Sequence, residues 1–237
     1  MKITTDKMKT FPTLLAFILC FFFLFSVSLQ AQYKKKFRPK QRFHAGIISG
    51  LNLAQIDGDN YRGYNKAGFM IGLQGIVLLS PNTELAMELS FSQKGSKGSY
   101  TGVLTDQKGR VIRLNYAEVP LLIRFELPNK LVKLEGGFSF ARLVQTGITE
   151  RPKWVEYSYT AIENDFKDHE ISWILGGSVK IFQELRLGLR TNVGITNFYT
   201  NEGYDEWLAN QSALSAAEPY KNLRNYHLTL YVNYQFF

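Results

Sequence analysis

A regular alternation between apolar and small or polar residues, which begins at Phe43, constrains this chain more than any other feature. Two alternating runs, FHAGIISGLNL and AGFMIGLQGIVLL, precede a turn with the sequence SPNT and a third run, ELAMELSFSQK. The two sets of the third run are Leu85, Met87, Leu89 and Phe91 on one parity and Ala86, Glu88, Ser90 and Ser92 on the other. A period of two places such sets on opposite faces of a β-strand. The pattern therefore predicts strands with one apolar face and one small or polar face.

The same pattern recurs to the end of the sequence and predicts about eight strands, joined alternately by long polar loops and by turns of roughly two to four residues. The predicted strands are 43–53, 67–79, 84–94, 111–127, 131–145, 170–182, 185–198 and 223–237. A soluble lipid-binding barrel would share the alternation within strands, but the alternating connections are typical of bacterial outer-membrane barrels. We therefore expect an all-β fold, an eight-stranded antiparallel up-and-down transmembrane β-barrel over residues 43–237, whose apolar face meets lipid. Pro120 lacks an amide donor, so we expect a bulge or kink there.

The first residues have the layout of a secretory signal peptide. A basic start, MKITTDKMKT, is followed by the apolar run FPTLLAFILCFFFLFSVSLQA, and we expect cleavage after Ala31. The alternative is a membrane anchor, because residues 11–29 approach the length of a spanning helix. The only cysteine, Cys20, lies in this leader, so thiol chemistry is excluded from the chain after residue 31.

The charge of the chain is concentrated before the predicted barrel. The formal net charge is +8, and the leader together with the basic tail at residues 32–42 accounts for it. The tail charges are Lys34, Lys35, Lys36, Arg38, Lys40 and Arg42. A nearly neutral body argues against a nucleic-acid partner. The tail is interpreted as a periplasmic linker, with contact to anionic head groups or to a periplasmic protein as the alternative.

Charged residues of both signs occupy the inward parity of the predicted barrel. The interior of an eight-stranded barrel is only wide enough for side chains, and unpaired charges there would be costly. We therefore predict a structural ionic network that includes Glu88, Glu118, Arg124 and Arg190. An ion path or a ligand site in the lumen is the alternative.

No catalytic, metal or cofactor site is expected. The three histidines are His44, His169 and His227. His44 is predicted near the periplasmic end and His227 near the outer end, so neither a Ser-His-acid set nor a metal cluster can be assembled. The chain is therefore interpreted as a non-enzyme, with a membrane hydrolase as the alternative.

Aromatic residues in two predicted outer loops form a candidate interaction surface, because exposed aromatics mark interfaces. They are Trp154, Tyr157, Tyr159, Phe166 and Trp207. The alternative is that these rings pack over the mouth of the barrel.

Five segments carry a family resemblance: GIISGLNLAQIDGD, KAGFMIGLQGIVLLSPNTELAMELSFSQKGS, LNYAEVPLLIRFEL, RTNVGITNF and YVNYQFF. On these segments the chain resembles the PorT-like family, small porin-family outer-membrane β-barrels of Gram-negative bacteria of the gliding and type IX secretion lineage. The resemblance implies an eight-stranded barrel, and the namesake of the family is tied to protein secretion. Phe237 beside Phe236 looks like the terminal signal read by the barrel-insertion machinery.

These observations favour an integral outer-membrane protein with a structural or partner-binding role, linked to protein secretion or envelope assembly. A small porin-like conduit for transport across the outer membrane is the alternative. The expected partners are outer membrane lipid and a protein that binds the extracellular loops or the basic N-terminal tail.

Overall fold

A computed structural model of the chain describes residues 42–59, 63–100, 108–149, 163–202 and 222–236. All of them belong to one compact unit, Pro39–Phe237. The expected signal peptide at 1–31 lies outside the described residues, as does the expected basic tail apart from Arg42. The cleavage after Ala31 and the role of the tail therefore stay predictions.

Nine strands and one short 3-10 helix make up the regular structure of the described residues. They are β1 (Phe43–Asp57), β2 (Lys66–Ser80), β3 (Thr83–Tyr100), β4 (Lys108–Glu126), β5 (Val132–Thr149), the 3-10 helix (Glu163–Asp165), β6 (His169–Lys180), β7 (Leu185–Gly194), β8 (Tyr199–Thr200) and β9 (Asn222–Gln235). Across the described ranges, no helix is long and apolar enough to cross a membrane.

The sheet closes on itself. Strands β1 to β7 pair with their neighbours in chain order, and β9 pairs with both β7 and β1, each time antiparallel. Among the described residues, the two-residue strand β8 pairs only with the start of β9, through Tyr199 opposite Leu223 and Thr200 opposite Asn222. The barrel proper is therefore made of eight strands, β1 to β7 and β9. The predicted all-β, antiparallel up-and-down barrel is confirmed.

Apolar side chains cover the outer wall of this barrel, and polar or small ones face its lumen. On β3, Met87 and Leu89 are 59 % and 62 % exposed, whereas Glu88 and Ser90 are 1 % and 4 % exposed. Neighbouring strands repeat this, with Leu73, Leu121, Phe138, Leu175 and Leu189 exposed on the outside. A water-soluble domain would bury these side chains, so the outer wall is matched to an apolar solvent.

Short connections join the strands at one end of the barrel, here called the short-turn end. Residues 81–82, 127–131 and 181–184 link β2 to β3, β4 to β5 and β6 to β7. In the second of these turns, the Oδ1 of Asn129 accepts a hydrogen bond from the backbone N–H of Leu131 at 3.0 Å. The opposite end, where the remaining connections lie, is called the long-loop end.

Several strands extend further toward the long-loop end than the sequence predicted. Strand β3 continues past Lys94 to Tyr100, β4 begins at Lys108, and β5 continues to Thr149. The segment GSKGSY is part of β3 because it pairs with β4 up to Tyr100 opposite Lys108. Its Gly and Ser content suggested a loop, but closing the barrel supplies ladder partners that override local preference.

The bulge predicted at Pro120 lies elsewhere. Pairing between β3 and β4 skips two steps there, between Met87–Leu121 and Ser90–Glu118, but resumes in the same register. The pairing between β4 and β5 does shift by one residue, between Asn115 opposite Gln145 and Tyr116 opposite Leu143. The missing donor of Pro120 thus interrupts the ladder without adding a residue to it.

Candidate functional site

The polar side chains directed into the lumen form the candidate site. The buried glutamates of the described strands are Glu84, Glu88, Glu118, Glu135 and Glu170. Each of them lies within ion-pair distance of a lysine or an arginine. The barrel wall excludes water from these groups, so the opposite charges compensate one another.

An arginine cluster, made of Glu88, Arg124, Glu135 and Arg190, lies toward the short-turn end. The carboxylate of Glu88 bridges two guanidinium groups, with Oε1 2.7 Å from Nη2 of Arg124 and Oε2 2.9 Å from Nη1 of Arg190. The Nε of Arg124 donates to Oε2 of Glu135 at 3.0 Å. These four residues come from β3, β4, β5 and β7, so the cluster joins strands on different sides of the barrel.

Two neutral side chains complete the arginine cluster. Gln74 of β2 accepts a hydrogen bond from Nη1 of Arg124 at 3.0 Å. The hydroxyl of Tyr231 on β9 donates to Oε1 of Glu135 at 2.9 Å. A side chain at Gly188 would meet the ring of Tyr231, because a Cβ atom there would lie 2.2 Å from Cζ. The absence of a side chain at Gly188 therefore makes room for the Tyr231 ring.

A lysine cluster, made of Lys94, Glu118 and Glu170, lies closer to the long-loop end. The Nζ of Lys94 is 2.5 Å from Oε1 of Glu118 and 2.7 Å from Oε1 of Glu170. It also lies 4.7 Å from the ring centroid of Tyr116, a cation–π arrangement. Asn225 donates from Nδ2 to Oε2 of Glu170 at 2.6 Å. One cation thus serves two carboxylates.

The predicted lumen residues therefore divide between the two clusters. Glu88, Arg124 and Arg190 are brought together, whereas Glu118 lies in the lysine cluster. Sequence reasoning missed Lys94 and Glu170 as lumen residues. The signal for Lys94 was present, because it continues the inward parity of Glu88, but it was assigned to the point where the third strand ends.

Further ion pairs occupy the short-turn end of the lumen. The Nζ of Lys133 lies 2.5 Å from Oε1 of Glu84. Arg186 lies 3.5 Å from Glu126 and donates from Nη2 to the carbonyl oxygen of Leu131 at 2.9 Å. These pairs tie the strand ends to the turn that joins β4 to β5.

An apolar cluster fills the long-loop end of the lumen. Its buried members are Ile56, Ile112, Leu114, Tyr116, Ala141, Phe166, Phe198, Tyr199 and Leu223. Phe166 packs edge-to-face on Phe198, with ring centroids 5.1 Å apart. The backbone N–H of Lys167 donates to the carbonyl oxygen of Phe198 at 2.7 Å. Segments that follow β5 and β7 thus contribute aromatic rings above the lysine cluster.

Of the aromatic residues proposed as a loop surface, only Phe166 is described. It is 8 % exposed, so the expectation of a surface ring is wrong at this position. The ring is buried because it packs against Phe198 and Tyr199. Trp154, Tyr157, Tyr159 and Trp207 lie outside the described residues.

The histidines are dispersed over the barrel. His44 pairs with Ile76 near the short-turn end, His227 is buried in the lumen near the long-loop end, and His169 stacks on Phe140 on the outer wall. Within the described ranges, no group of three or more His, Cys, Asp or Glu side chains could hold a metal ion. The lumen chemistry visible here is therefore ion pairing and hydrogen bonding.

Comparison with known proteins gives one family. Residues 30–200 match the family model described as outer membrane protein beta-barrel domain. No sequence among curated proteins matches the chain.

Several solved structures are similar in fold. Ail, the attachment invasion locus protein of Yersinia pestis, is 14 % identical over 83 % of this chain and 100 % of its own, with a TM-score of 0.43. Neisserial surface protein A is 11 % identical over 81 % of this chain and 97 % of its own, with a TM-score of 0.42. CarO of Acinetobacter baumannii is 11 % identical over 79 % of this chain and 96 % of its own, with a TM-score of 0.34. With TM-scores below 0.5, these similarities carry no conclusion about this chain.

Proposed function

The chain belongs to the family of outer membrane protein beta-barrel domains, and we propose that it acts by binding a partner rather than by passing a solute. It is a protein of the bacterial outer membrane, where its outward-facing leucines, isoleucines and phenylalanines meet hydrocarbon. A closed barrel suits this solvent because every strand has hydrogen-bonded neighbours on both sides.

The filled lumen is the observation that carries this proposal. Side chains of the arginine cluster and the lysine cluster reach across the interior, and both clusters are buried. The apolar cluster around Phe166 and Phe198 lies beyond them, toward the long-loop end. A conduit would need a continuous aqueous path, and moving Lys94 aside to open one would leave Glu118 and Glu170 without a counter-charge.

Conductance across a planar lipid bilayer tests this proposal against the porin-like alternative. The folded full chain should give no stable single-channel steps, while a known porin reconstituted in the same bilayer provides the positive control. Stable single-channel steps whose conductance rises with salt concentration would support a porin-like conduit and contradict the proposal.

The segments that resemble the PorT-like family support a finer proposal, a role linked to protein secretion or envelope assembly. In this role the partner is a protein that binds the loops at the long-loop end, with Trp154, Tyr157, Tyr159 and Trp207 as contact residues. The basic tail at 32–42 is a second contact candidate on the periplasmic side. Removal of residues 1–31 and a non-enzymatic role are part of the same proposal.

Photo-crosslinking in the native envelope tests the partner. A photoreactive residue placed at Trp154 or Trp207 should give a discrete protein adduct, and the same residue at the lipid-facing Leu175 serves as the matched control. Adducts of equal yield from Leu175, or none from either tryptophan, would contradict binding at the loops.

A further inference from the structure

Three serine hydroxyls, here called the hydroxyl belt, lie in the lumen between the lysine cluster and the arginine cluster. Ser90 of β3, Ser139 of β5 and Ser172 of β6 have inward parity and are 4 %, 1 % and 1 % exposed. Among the residues that the structure describes, none of their Oγ atoms has a hydrogen-bond partner. Most buried polar side-chain atoms in folded proteins have one. Three unpartnered hydroxyls in one part of the lumen therefore indicate a place for a ligand.

The strand registers place the hydroxyl belt beside Glu118. Ser90 lies opposite Glu118 in the ladder between β3 and β4, and Ser139 lies opposite Ser172 in the ladder between β5 and β6. Ser139 also lies opposite Pro120, the next inward residue after Glu118 on β4. The Cβ atoms of opposed residues are about 4.5–5.5 Å apart, and diagonal neighbours are about 7–8 Å apart. Four consecutive strands therefore direct one carboxylate and three hydroxyls into the same part of the lumen.

The carboxylate of Glu118 carries the negative charge that the lysine cluster leaves uncompensated. In the described part of the chain, Lys94 is the only cation within ion-pair distance of Glu118 or Glu170. The Oε2 of Glu170 accepts a hydrogen bond from Nδ2 of Asn225 at 2.6 Å. The Oε2 of Glu118, by contrast, has no hydrogen-bond partner among the described residues, and this side chain is fully buried. A buried charge without compensation is costly, and this one lies at the hydroxyl belt.

The unpartnered atoms of this site are all oxygens, and the charge balance identifies the class of ligand. Carboxylate and hydroxyl oxygens are ligands of hard metal cations. A monovalent cation brings the formal charge of the ion and the lysine cluster together to zero, whereas a divalent cation leaves a buried positive charge instead. A water molecule satisfies the hydroxyls but does not compensate the carboxylate.

We propose that Glu118 and the hydroxyl belt bind a monovalent metal cation, sodium or potassium, inside the closed lumen. The cation links β3, β4, β5 and β6 through their side chains and stabilises the folded barrel. It is a structural ion that does not cross the barrel, since both ionic clusters and the apolar cluster stay in place. The site is independent of the partner proposed for the outer loops.

Urea unfolding of the parent chain in lipid vesicles at constant ionic strength tests this proposal. Sodium chloride or potassium chloride is exchanged stepwise for N-methylglucamine chloride, whose cation is too large for the site. An ion that binds only the folded chain raises the folding equilibrium constant by the factor 1 + [ion]/Kd, which is about fourfold when the ion is at about three times its Kd. Equal stability in all three salts, or a larger effect of calcium chloride, would overturn the proposal.

Variants of the site locate the ion. Glu118→Gln should abolish the dependence of stability on sodium or potassium, and Ser139→Ala/Ser172→Ala should lose most of it. Ser49→Ala, which removes an exposed hydroxyl from the outer wall, is the matched control and should keep the dependence of the parent. His227→Gln should keep it as well, which separates ion binding from titration of this buried histidine. An unchanged dependence in Glu118→Gln, or its loss in either control, would contradict the proposal.

A direct measurement on the parent chain covers the case in which the variants fail to fold. Crystals grown in rubidium chloride should show an anomalous difference peak within coordination distance of Glu118 and of at least two serines of the hydroxyl belt. No peak in the lumen, or peaks at the protein surface that indicate an adventitious ion only, would overturn the proposal.

Discussion

The two ionic clusters of the lumen both compensate buried charges, but they differ in the ratio of cations to carboxylates. In the arginine cluster, two guanidinium groups face the two carboxylates of Glu88 and Glu135, and Glu88 is held by both arginines. In the lysine cluster, one ammonium group stands between two carboxylates. The first cluster is balanced in formal charge, whereas the second has one negative charge in excess.

This difference in charge balance predicts which carboxylates are needed for the stability of the barrel. Removal of a shared carboxylate from the arginine cluster leaves a buried guanidinium without its partner. Removal of one carboxylate from the lysine cluster leaves a complete ion pair. Burial alone does not separate the two cases, since Glu88 and Glu118 are 1 % and 0 % exposed. Equal burial should therefore accompany unequal stability effects.

Glu88→Gln should give the largest effect. The substitution removes the negative charge that both Arg124 and Arg190 contact, and breaking a buried ion pair from one side costs about 3–5 kcal/mol. Urea unfolding of the protein in lipid vesicles, followed by tryptophan fluorescence, measures the change in unfolding free energy. Met87→Leu, a volume-conserving change at the neighbouring lipid-facing position, is the control. If Glu88→Gln lowers the unfolding free energy by less than about 1 kcal/mol, no more than a volume-conserving substitution does, the arginine cluster does not stabilise the barrel.

Gly188→Ala should give an intermediate effect. The added methyl group would collide with the ring of Tyr231 and push its hydroxyl away from Glu135, and overpacking of this kind costs about 1–3 kcal/mol. The same urea titration measures it. Gly75→Ala is the matched control, because a Cβ at this outward position has nothing within 4 Å. If the two glycines tolerate alanine equally, the Tyr231 ring is not held against Gly188.

Glu118→Gln should give the smallest effect, below about 1 kcal/mol, because Lys94 keeps Glu170 as its partner and the excess negative charge is removed. The reciprocal change Lys94→Gln leaves two carboxylates without a cation and should approach the loss of Glu88→Gln. The unfolding free energies of both variants, measured side by side, show whether the cation or a single carboxylate stabilises the lysine cluster. A loss in Glu118→Gln as large as that in Glu88→Gln would mean that the two clusters are equivalent.

The sequence predicted which face each strand residue occupies but not which residues meet across the lumen. A period of two is local, so the inward orientation of Glu118 and Arg124 follows from the residues beside them. Their partners depend on the tilt and stagger of the whole barrel. These place Glu118 beside Lys94 of β3, whereas Arg124, only six positions further along β4, meets Glu88 and Glu135.

The ends of the strands were predicted less well for a related reason. Ser96 and Gly98 have the composition of a loop, yet β3 continues through them because β4 offers a complete ladder. Phe166 was predicted to be exposed because it belongs to a predicted outer loop that is rich in aromatic residues. Its burial depends on Phe198 and Tyr199, which lie more than thirty positions later in the sequence.

Cysteine reactivity at two adjacent positions of β3 distinguishes a closed, ion-paired lumen from a water-filled one. The chain after residue 31 contains no cysteine, so Leu89→Cys and Ser90→Cys report separately on the outer wall and the lumen. In lipid vesicles, neither variant should react with a membrane-impermeant maleimide, because the thiol of Leu89→Cys lies in hydrocarbon, where it stays protonated, and that of Ser90→Cys lies in the filled lumen. Both thiols should react once the chain is unfolded in urea. Rapid reaction of Ser90→Cys with the impermeant reagent would reveal a water-filled channel and contradict the closed, ion-paired interior.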